Sequence, residues 1–311
     1  MHCNNQIRTI CRVVHENRAP EISTVNLTVD IQQRRIIFMK TIKYLTVFCM
    51  MICMIMQLNI NVSANENNIC YVAHRGYTKY APENSIPAFE AAGKEGFQAV
   101  ECDIHETAKD KKGKRRFVIM HDQTLNRMCG LSGKNVYQKK LTYQKIRSKY
   151  NIKTGNNIES YTKKQLRIPS LEEYLSICKR YHMKPVIEIK QKMKKDTIKR
   201  LYQSLKKAKM QNQAVVTCKY KQQLTYMRKY TRKMPLEYVR HDFTQNDLSW
   251  MKKYHINVSI NKNILSDDMI QLFETNNIKI NIWTINNKDQ LYNFTNKGIK
   301  IVTSDDALWK E

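Results

Sequence analysis

From Cys70 onward, short β-rich apolar runs alternate with longer stretches whose apolar positions recur every three or four residues. The first kind predicts strands at Cys70–Ala73, Ala99–Asp103, Val186–Lys190, Ala214–Cys218, Leu236–Val239, Asn257–Ile260, Lys279–Ile285 and Lys300–Thr303. The second predicts helices at Ile86–Glu95, Leu171–His182, Thr197–Met210, Lys221–Lys229, Asn246–His255, Asp267–Asn276 and Lys288–Asn296. Asn84 is expected to cap the first helix, with Pro87 in its first turn. Ser170 and Glu173 form a capping box ahead of Leu171. Strand–helix alternation argues for a parallel α/β sheet, and eight such strands close a (β/α)8 TIM barrel. Residues 65–311 match the ~250 residues typical of that fold. A doubly wound open sheet is the alternative.

One further apolar run, Phe117–Met120, does not fit as a ninth barrel strand. The polar turn Lys109-Asp110-Lys111-Lys112-Gly113 precedes it. This predicts a hairpin arm over Ile104–Met120 that returns His121 to the barrel mouth. Residues 125–168 are polar with little strand pattern. They read as a small insertion after the second strand, beside the mouth, without a core of its own.

The N-terminal pattern is different. Lys40 and Lys43 precede an apolar run from Tyr44 to Met56 in which only Thr46 is polar. Val62-Ser63-Ala64 then offers a small-residue cleavage site. Residues 39–64 are expected to be a signal peptide. The alternative is an uncleaved membrane anchor through residues 39–62, although the apolar run is short against the ~20 residues of a span. Residues 1–38 carry no clear pattern and read as an upstream, disordered extension, with translation starting at Met39. The expected location is extracytoplasmic, secreted or membrane-anchored.

Composition adds a charge constraint. The chain has 311 residues, is 42% hydrophobic and carries a formal net charge of +27. Residues 65–311 hold 47 of the 54 Lys/Arg and 24 of the 27 acids, a net +23. Such a charge favours anionic partners, among them a membrane surface or an anionic wall polymer. No basic-aromatic motif points to nucleic acid. The nine cysteines form no zinc-spaced pairs, and five lie beyond residue 64, an odd number that argues against a full disulfide framework.

The candidate chemistry sits in two stretches: His74-Arg75-Gly76 with Pro82-Glu83-Asn84-Ser85, and Glu101-Cys102-Asp103 with His121-Asp122. Alternation along a strand puts Glu101 and Asp103 on one face and Cys102 on the other. Glu188 and Lys190 repeat that spacing on the next predicted strand. If these faces point inward at the mouth, three carboxylates converge, an oxygen donor set that suits Ca²⁺ or Mg²⁺. Histidines titrate near neutrality and can serve as acid and base. The remaining histidines, His105, His182, His241 and His255, read as structural, with His105 assigned away from the Glu101–Asp103 face.

In combination, His74-Arg75-Gly76, Pro82-Glu83-Asn84-Ser85, Ala88-Phe89, Glu101-x-Asp103, His121-Asp122-x-Thr124-Leu125-x-Arg127, Ile168-Pro169-Ser170-Leu171-x-Glu173, Glu188-x-Lys190 and Trp283-Thr284-x-Asn286 resemble the glycerophosphodiester phosphodiesterase family. The resemblance covers roughly residues 70–308. It implies a barrel of the phosphatidylinositol-phospholipase type that hydrolyses small glycerophosphodiesters to glycerol 3-phosphate and an alcohol. It further implies His74 and His121 as the acid–base pair, and Glu101, Asp103 and Glu188 as ligands of one divalent metal ion. Arg75 and Lys190 would contact the phosphate, Glu83 would be an additional candidate ligand, and Trp283 would wall the glycerol side. The chain departs from the family pattern at Ser304-Asp305-Asp306-Ala307, where Thr-Asp-x-Pro is common, and at Lys219-Tyr220, where Ser-Phe is usual. Lys219 adds charge near the mouth and points toward more anionic substrates such as glycerol-phosphate wall polymer. A non-catalytic phosphate-binding barrel is the competing class.

Overall fold

A computed structural model describes residues 34–46, 48 and 69–310. The chain divides into two units, Met1–Glu66 and Asn67–Glu311. In the first, residues 34–46 are helical and exposed. Residues 34–38, expected to lack order, are thus part of a helix; their Ile-Ile-Phe run shares the apolar character of the segment that follows. None of the described helices is long and apolar enough to cross a membrane. The expected cleavage site at Val62–Ala64, residues 49–61 and residues 1–33 lie outside the described residues.

The second unit is a closed barrel. Its parallel staves are β1 (Cys70–Ala73), β2 (Ala99–Glu106), β4 (Lys184–Ile189), β5 (Val215–Cys218), β6 (Leu236–Arg240), β7 (Asn257–Asn261), β8 (Ile280–Trp283) and β9 (Ile301–Ser304). Each pairs with the next, and β1 pairs with both β2 and β9, which closes the ring and excludes the open sheet. The remaining strand, β3 (Phe117–Ile119), lies antiparallel on β2 with Ile104 opposite Ile119, as the hairpin-arm reading requires. Asp110 makes the turn of that arm by accepting from the backbone N–H groups of Lys112 and Lys114.

Side chains alternate along each stave. Val100 and Cys102 point out into the core beneath the helices, while Val72, Ala99 and Val186 form a small cluster of their own. Helix α1 (Ile86–Glu95) packs its Ala88, Phe89 and Ala92 inward. Its N-cap is Ser85, whose Oγ accepts from the Ala88 N–H at 3.1 Å, and not Asn84. Asn84 is instead drawn into the site described below. The predicted capping box is present on α4 (Leu171–Arg180), which follows α2 (Asn126–Cys129) and α3 (Tyr143–Lys149). Helices between the later staves are α5 (Lys195–Lys207), α6 (Lys221–Arg228), α7 (Gln245–Tyr254), α8 (Asp267–Thr275) and α9 (Lys288–Asn296).

Tyr174 on α4 is fully buried and ties two staves together. Its hydroxyl donates to the Val100 carbonyl at 2.6 Å and accepts from the Val186 N–H at 3.1 Å. Tyr174→Phe removes both bonds from a dry core, so unfolding stability should fall by about 1–3 kcal/mol. Urea melts of the two proteins measure the difference, and an unchanged midpoint would show that the hydroxyl carries no such load.

The insertion differs from its sequence reading. Leu125, Met128, Cys129, Ile146, Ile152, Leu166 and Ile168 bury a small apolar cluster together with Val118 and Met120 of the arm. These residues are too widely and irregularly spaced to produce a periodic pattern. The cysteines at positions 102, 129, 178 and 218 are buried free thiols, and Cys70 is a partly buried one.

Candidate active site

Sequence places His74, Arg75 and Gly76 immediately after β1. The His74 N–H donates to the Ser304 carbonyl at 2.9 Å and extends the β1–β9 ladder by one residue. The backbone then turns sharply, with Arg75 at φ 57° and Gly76 at φ 89°. A Cβ on Gly76 would lie 2.6 Å from the Ala88 Cβ, so only glycine lets this turn sit against α1. The turn aims the Arg75 N–H at Glu101 Oε2, 2.9 Å away.

Three carboxylates meet beside that turn. Asp103 and Glu188 are register partners on β2 and β4, and Glu101 lies one inward position earlier on β2. Glu101, Asp103 and Glu188 each offer an oxygen within 4.8 Å of the others. Glu101 and Asp103 are 7% and 1% exposed, so water screens them little. Burial and the neighbouring carboxylates Asp103 and Glu188 push the Glu101 carboxyl well above its ordinary range. Burial and Asp103 push Glu188 upward as well. For Asp103 burial also opposes ionisation, but the Lys190 and Arg75 cations outweigh it and hold the pKa below its usual value.

Asn84 locks this arrangement from above. Its side chain donates to Asp103 Oδ2 at 2.8 Å and accepts from the Asp103 N–H at 3.2 Å. The Lys190 ammonium lies 3.0 Å from Glu188 Oε1 and 3.4 Å from Asp103 Oδ1. One oxygen, Glu101 Oε1, is buried without a hydrogen-bond partner among the described residues. An orphaned carboxylate oxygen in a buried, all-oxygen cluster of like charges is a site shaped for a hard divalent cation. Glu101, Asp103 and Glu188 therefore fit the metal that the resemblance implies.

The two histidines flank Glu101 and Asp103 in sequence and line one cavity. His74 Nδ1 is 2.8 Å from Asp305 Oδ1, and His121 Nδ1 is 2.8 Å from Asp122 Oδ1. An ionised carboxylate only accepts, so each ring carries its proton on Nδ1 and leaves Nε2 free to take or give one. Both acids remain ionised. Burial opposes this at Asp305, but hydrogen bonds from His74, Asn286 and Thr78 bring its pKa down to about 2. Arg127 and His121 likewise hold Asp122 at about 2 against burial. His121 itself is lowered from its ordinary value, chiefly by burial.

The cavity measures about 460 Å³ and is lined by His74, Arg75, Glu101, His121, Glu188, Lys190, Lys219, His241 and Trp283 among others. The structure thus brings together eight of the nine predicted site residues around one space, counting Asp103 behind Lys190. The ninth, Glu83, is turned away. Its oxygens are taken by the guanidinium groups of Arg75 at 3.2 Å and Arg127 at 2.7 Å. Arg127 in turn bonds Asp122, which links the His74–Arg75 turn to the His121 loop. Trp283 presents a buried Nε1–H with no partner, and the His241 ring packs edge-on against it at 4.8 Å.

Sequence reading did not assign roles to Asp122 or Asp305, and it gave Asn84 the helix cap rather than a place in the site. Asp122 and Asn84 lie inside quoted motifs, so their position was visible and their partner was not. Asp305 is 231 residues from His74 and meets it only because β1 and β9 pair. His105 is a correction. Positions 101, 103 and 105 share one strand face, and His105 lies buried on it rather than on the opposite side.

Comparison with known proteins agrees with this architecture. The sequence model of the glycerophosphoryl diester phosphodiesterase family matches residues 74–308. Glycerophosphodiester phosphodiesterase 1 of Mus musculus is 30% identical over 131 residues, 42% of this chain and 37% of that protein. Its Bos taurus counterpart is 23% identical over 260 residues, covering 72% of this chain and 74% of that one. Over its match the chain thus spans little more than a third of the mouse protein's length. A phosphodiesterase from Oleispira antarctica, solved with the product sn-glycerol-3-phosphate, superposes with a TM-score of 0.67 at 20% identity, over 77% of this chain and 94% of that one. A glycerophosphodiester phosphodiesterase from Parabacteroides distasonis gives a TM-score of 0.63 at 20% identity, over 78% and 94%. Both share the barrel. With three quarters of its length matched by the family's sequence model, the chain belongs to the glycerophosphoryl diester phosphodiesterase family of enzymes.

Proposed function

We propose that this chain hydrolyses glycerophosphodiesters to glycerol 3-phosphate and an alcohol, with His74 and His121 as the acid–base pair. The observation that carries this reading is the pair of histidines. Each is oriented by an ionised aspartate on Nδ1, and both line a cavity with Glu101, Glu188, Arg75, Lys190 and Lys219, with Asp103 behind Lys190. Arg75 and Lys190 would bind the phosphate and offset charge building on its oxygens. One histidine Nε2 takes a proton from the nucleophile, water or a neighbouring glycerol hydroxyl. The nucleophile's oxygen bonds to phosphorus, the phosphorus–oxygen bond to the alcohol breaks, and the other histidine protonates the departing alkoxide; where the glycerol hydroxyl attacks, the product is a cyclic phosphate, which water then opens to glycerol 3-phosphate with the same acid–base pair. Glu101, Asp103 and Glu188 would hold one Ca²⁺ or Mg²⁺, which when bound supplies Lewis-acid stabilisation of the phosphoryl oxygens. Glycerol 3-phosphate release from a panel of glycerophosphodiesters, with and without EDTA, tests the reading. No release from any member would reject it.

Asp305 is the residue through which His74 is oriented. Its Oδ1 accepts from His74 and from the Thr78 hydroxyl, and its Oδ2 accepts from the Asn286 amide at 2.6 Å. An asparagine there must turn its NH₂ toward one of these donors. Asp305→Asn should therefore lower kcat by roughly 10- to 100-fold with little change in KM. A variant with wild-type kcat would remove Asp305 from this role.

A second reading is a glycerol-phosphate wall polymer as substrate. It is supported by Lys219, which lines the cavity, stacks over Tyr220 at 5.4 Å and has no carboxylate partner among the described residues. Rates on glycerophosphocholine and on poly(glycerol phosphate) separate the two. A faster, salt-insensitive rate on the small diester favours the first. An extracytoplasmic location, secreted or anchored through residues 39–62, is supported by the leader-like segment, and recovery of the full-length chain in the cytosol would contradict it.

A further inference from the structure

We propose that His105 is a positioning residue that fixes the His121 loop over the carboxylate cluster. The inference rests on the acid–base role given to His121. His105 is 1% exposed and shares the β2 face of Glu101 and Asp103. Its Nε2 lies 3.3 Å from the His121 carbonyl oxygen and its Nδ1 lies 3.3 Å from Gln191 Oε1. A carbonyl can only accept, so Nε2 carries the proton. A ring with its proton on Nε2 leaves Nδ1 as an acceptor, and a flip of the Gln191 amide, which exchanges Oε1 for its NH₂ group, gives that acceptor a donor.

The consequence is a bridge. Gln191 lies two residues past the end of β4, so His105 ties that end to His121, two residues past β3. Two further bonds hold its neighbours, Met120 and Asp122. The Met120 N–H donates to the Asp103 carbonyl at 2.9 Å, and the Gln138 amide donates to the Asp122 carbonyl. The first and last of these clamp the peptides on either side of His121, and His105 clamps its own. Without it, the carbonyl loses that donor and the loop can rotate. The imidazole would then move relative to Asp103 and Lys190, and displacement of a catalytic group by about 1 Å is enough to cost roughly 100-fold in rate.

Steady-state hydrolysis of glycerophosphocholine by the wild type, His105→Leu, His105→Gln, His121→Ala and the His105→Leu/His121→Ala pair tests this. His105→Leu should lose roughly 10- to 100-fold in kcat, with KM and the metal concentration for half-activation changed by less than about twofold. His105→Gln, whose amide N–H can reach the carbonyl, should recover most of that loss. The double variant should be no slower than His121→Ala alone, because a residue that acts through His121 has nothing left to position. The proposal is overturned if His105→Leu is as fast as wild type, if its loss recurs in full in the His121→Ala background, or if a folded His105→Gln is as slow as the leucine variant. Should the leucine variant not fold, His105→Asn, too short to reach the carbonyl, replaces it in the cycle. A His121→Ala protein with wild-type activity would instead remove the role of His121, and this inference with it.

Discussion

His74→Ala and His121→Ala are each expected to lower kcat for glycerophosphodiester hydrolysis by roughly 10²- to 10⁴-fold, the range that positioned acid–base groups contribute. The two effects should not add in full, because proton removal and proton delivery serve one displacement. KM should move less, since Arg75 and Lys190 retain the phosphate contacts. The reason to expect large losses from both is their shared construction. Each imidazole is oriented on Nδ1 by an aspartate held ionised at about 2, and each leaves Nε2 toward the same cavity. A structural histidine has no need of that arrangement twice in one pocket. Release of glycerol 3-phosphate over time gives kcat directly. If either variant kept a rate within about threefold of wild type, that residue would not be an acid–base group.

Glu101→Gln should abolish most activity and yet stabilise the metal-free protein. Glu101 lies within 4.8 Å of two other carboxylates, is 7% exposed and leaves one oxygen without a hydrogen-bond partner among the described residues. Its pKa is raised by burial and by its neighbours above the ordinary 4.5. A carboxyl with a raised folded-state pKa weakens the fold at pH values above its ordinary pKa, most fully once pH exceeds the raised value. Glutamine keeps an oxygen for the Arg75 N–H and removes the charge. In EDTA near pH 8 the variant should melt higher than wild type, by about 2–4 °C for each kcal/mol relieved. Wild-type protein should in turn gain melting temperature on addition of Ca²⁺ or Mg²⁺, about 2.7 kcal/mol at a hundredfold excess over Kd. The glutamine variant should gain much less. Differential scanning calorimetry with and without metal reads both signs. A variant that melts lower in EDTA would mean that Glu101 is stabilised by contacts other than a cation.

The barrel was legible because its signal is local. Strand runs of period two between helical runs of period 3.6 place each stave within a few residues, and Cys70–Ala73 and Ile86–Glu95 fall where the pattern puts them. The insertion was not, because its apolar residues are scattered and become a cluster only when the chain folds back on β3. Glu101, Asp103, Glu188 and Lys190 were readable from parity on two strands, which fixes the face without any knowledge of the partner. Asn84 shows the limit. Its sequence position fits a helix cap as well as a clamp, and Ser85, one residue later, takes the cap because Asn84 sits at φ 52° with its amide on Asp103. Asp305 needed the closure of β1 on β9. His105 needed only a correct count along β2, and its link to His121 required the return of the arm.

The most direct test is a metal titration of catalysis. Protein stripped with EDTA is assayed for glycerol 3-phosphate release from glycerophosphocholine, then again as Ca²⁺ or Mg²⁺ is returned, alongside His74→Ala. The predicted result is no release from stripped protein, saturable recovery with one of the two ions, and no recovery for the histidine variant. Full activity in EDTA, or equal recovery of His74→Ala, would contradict a site built from the carboxylate cluster and the histidine pair.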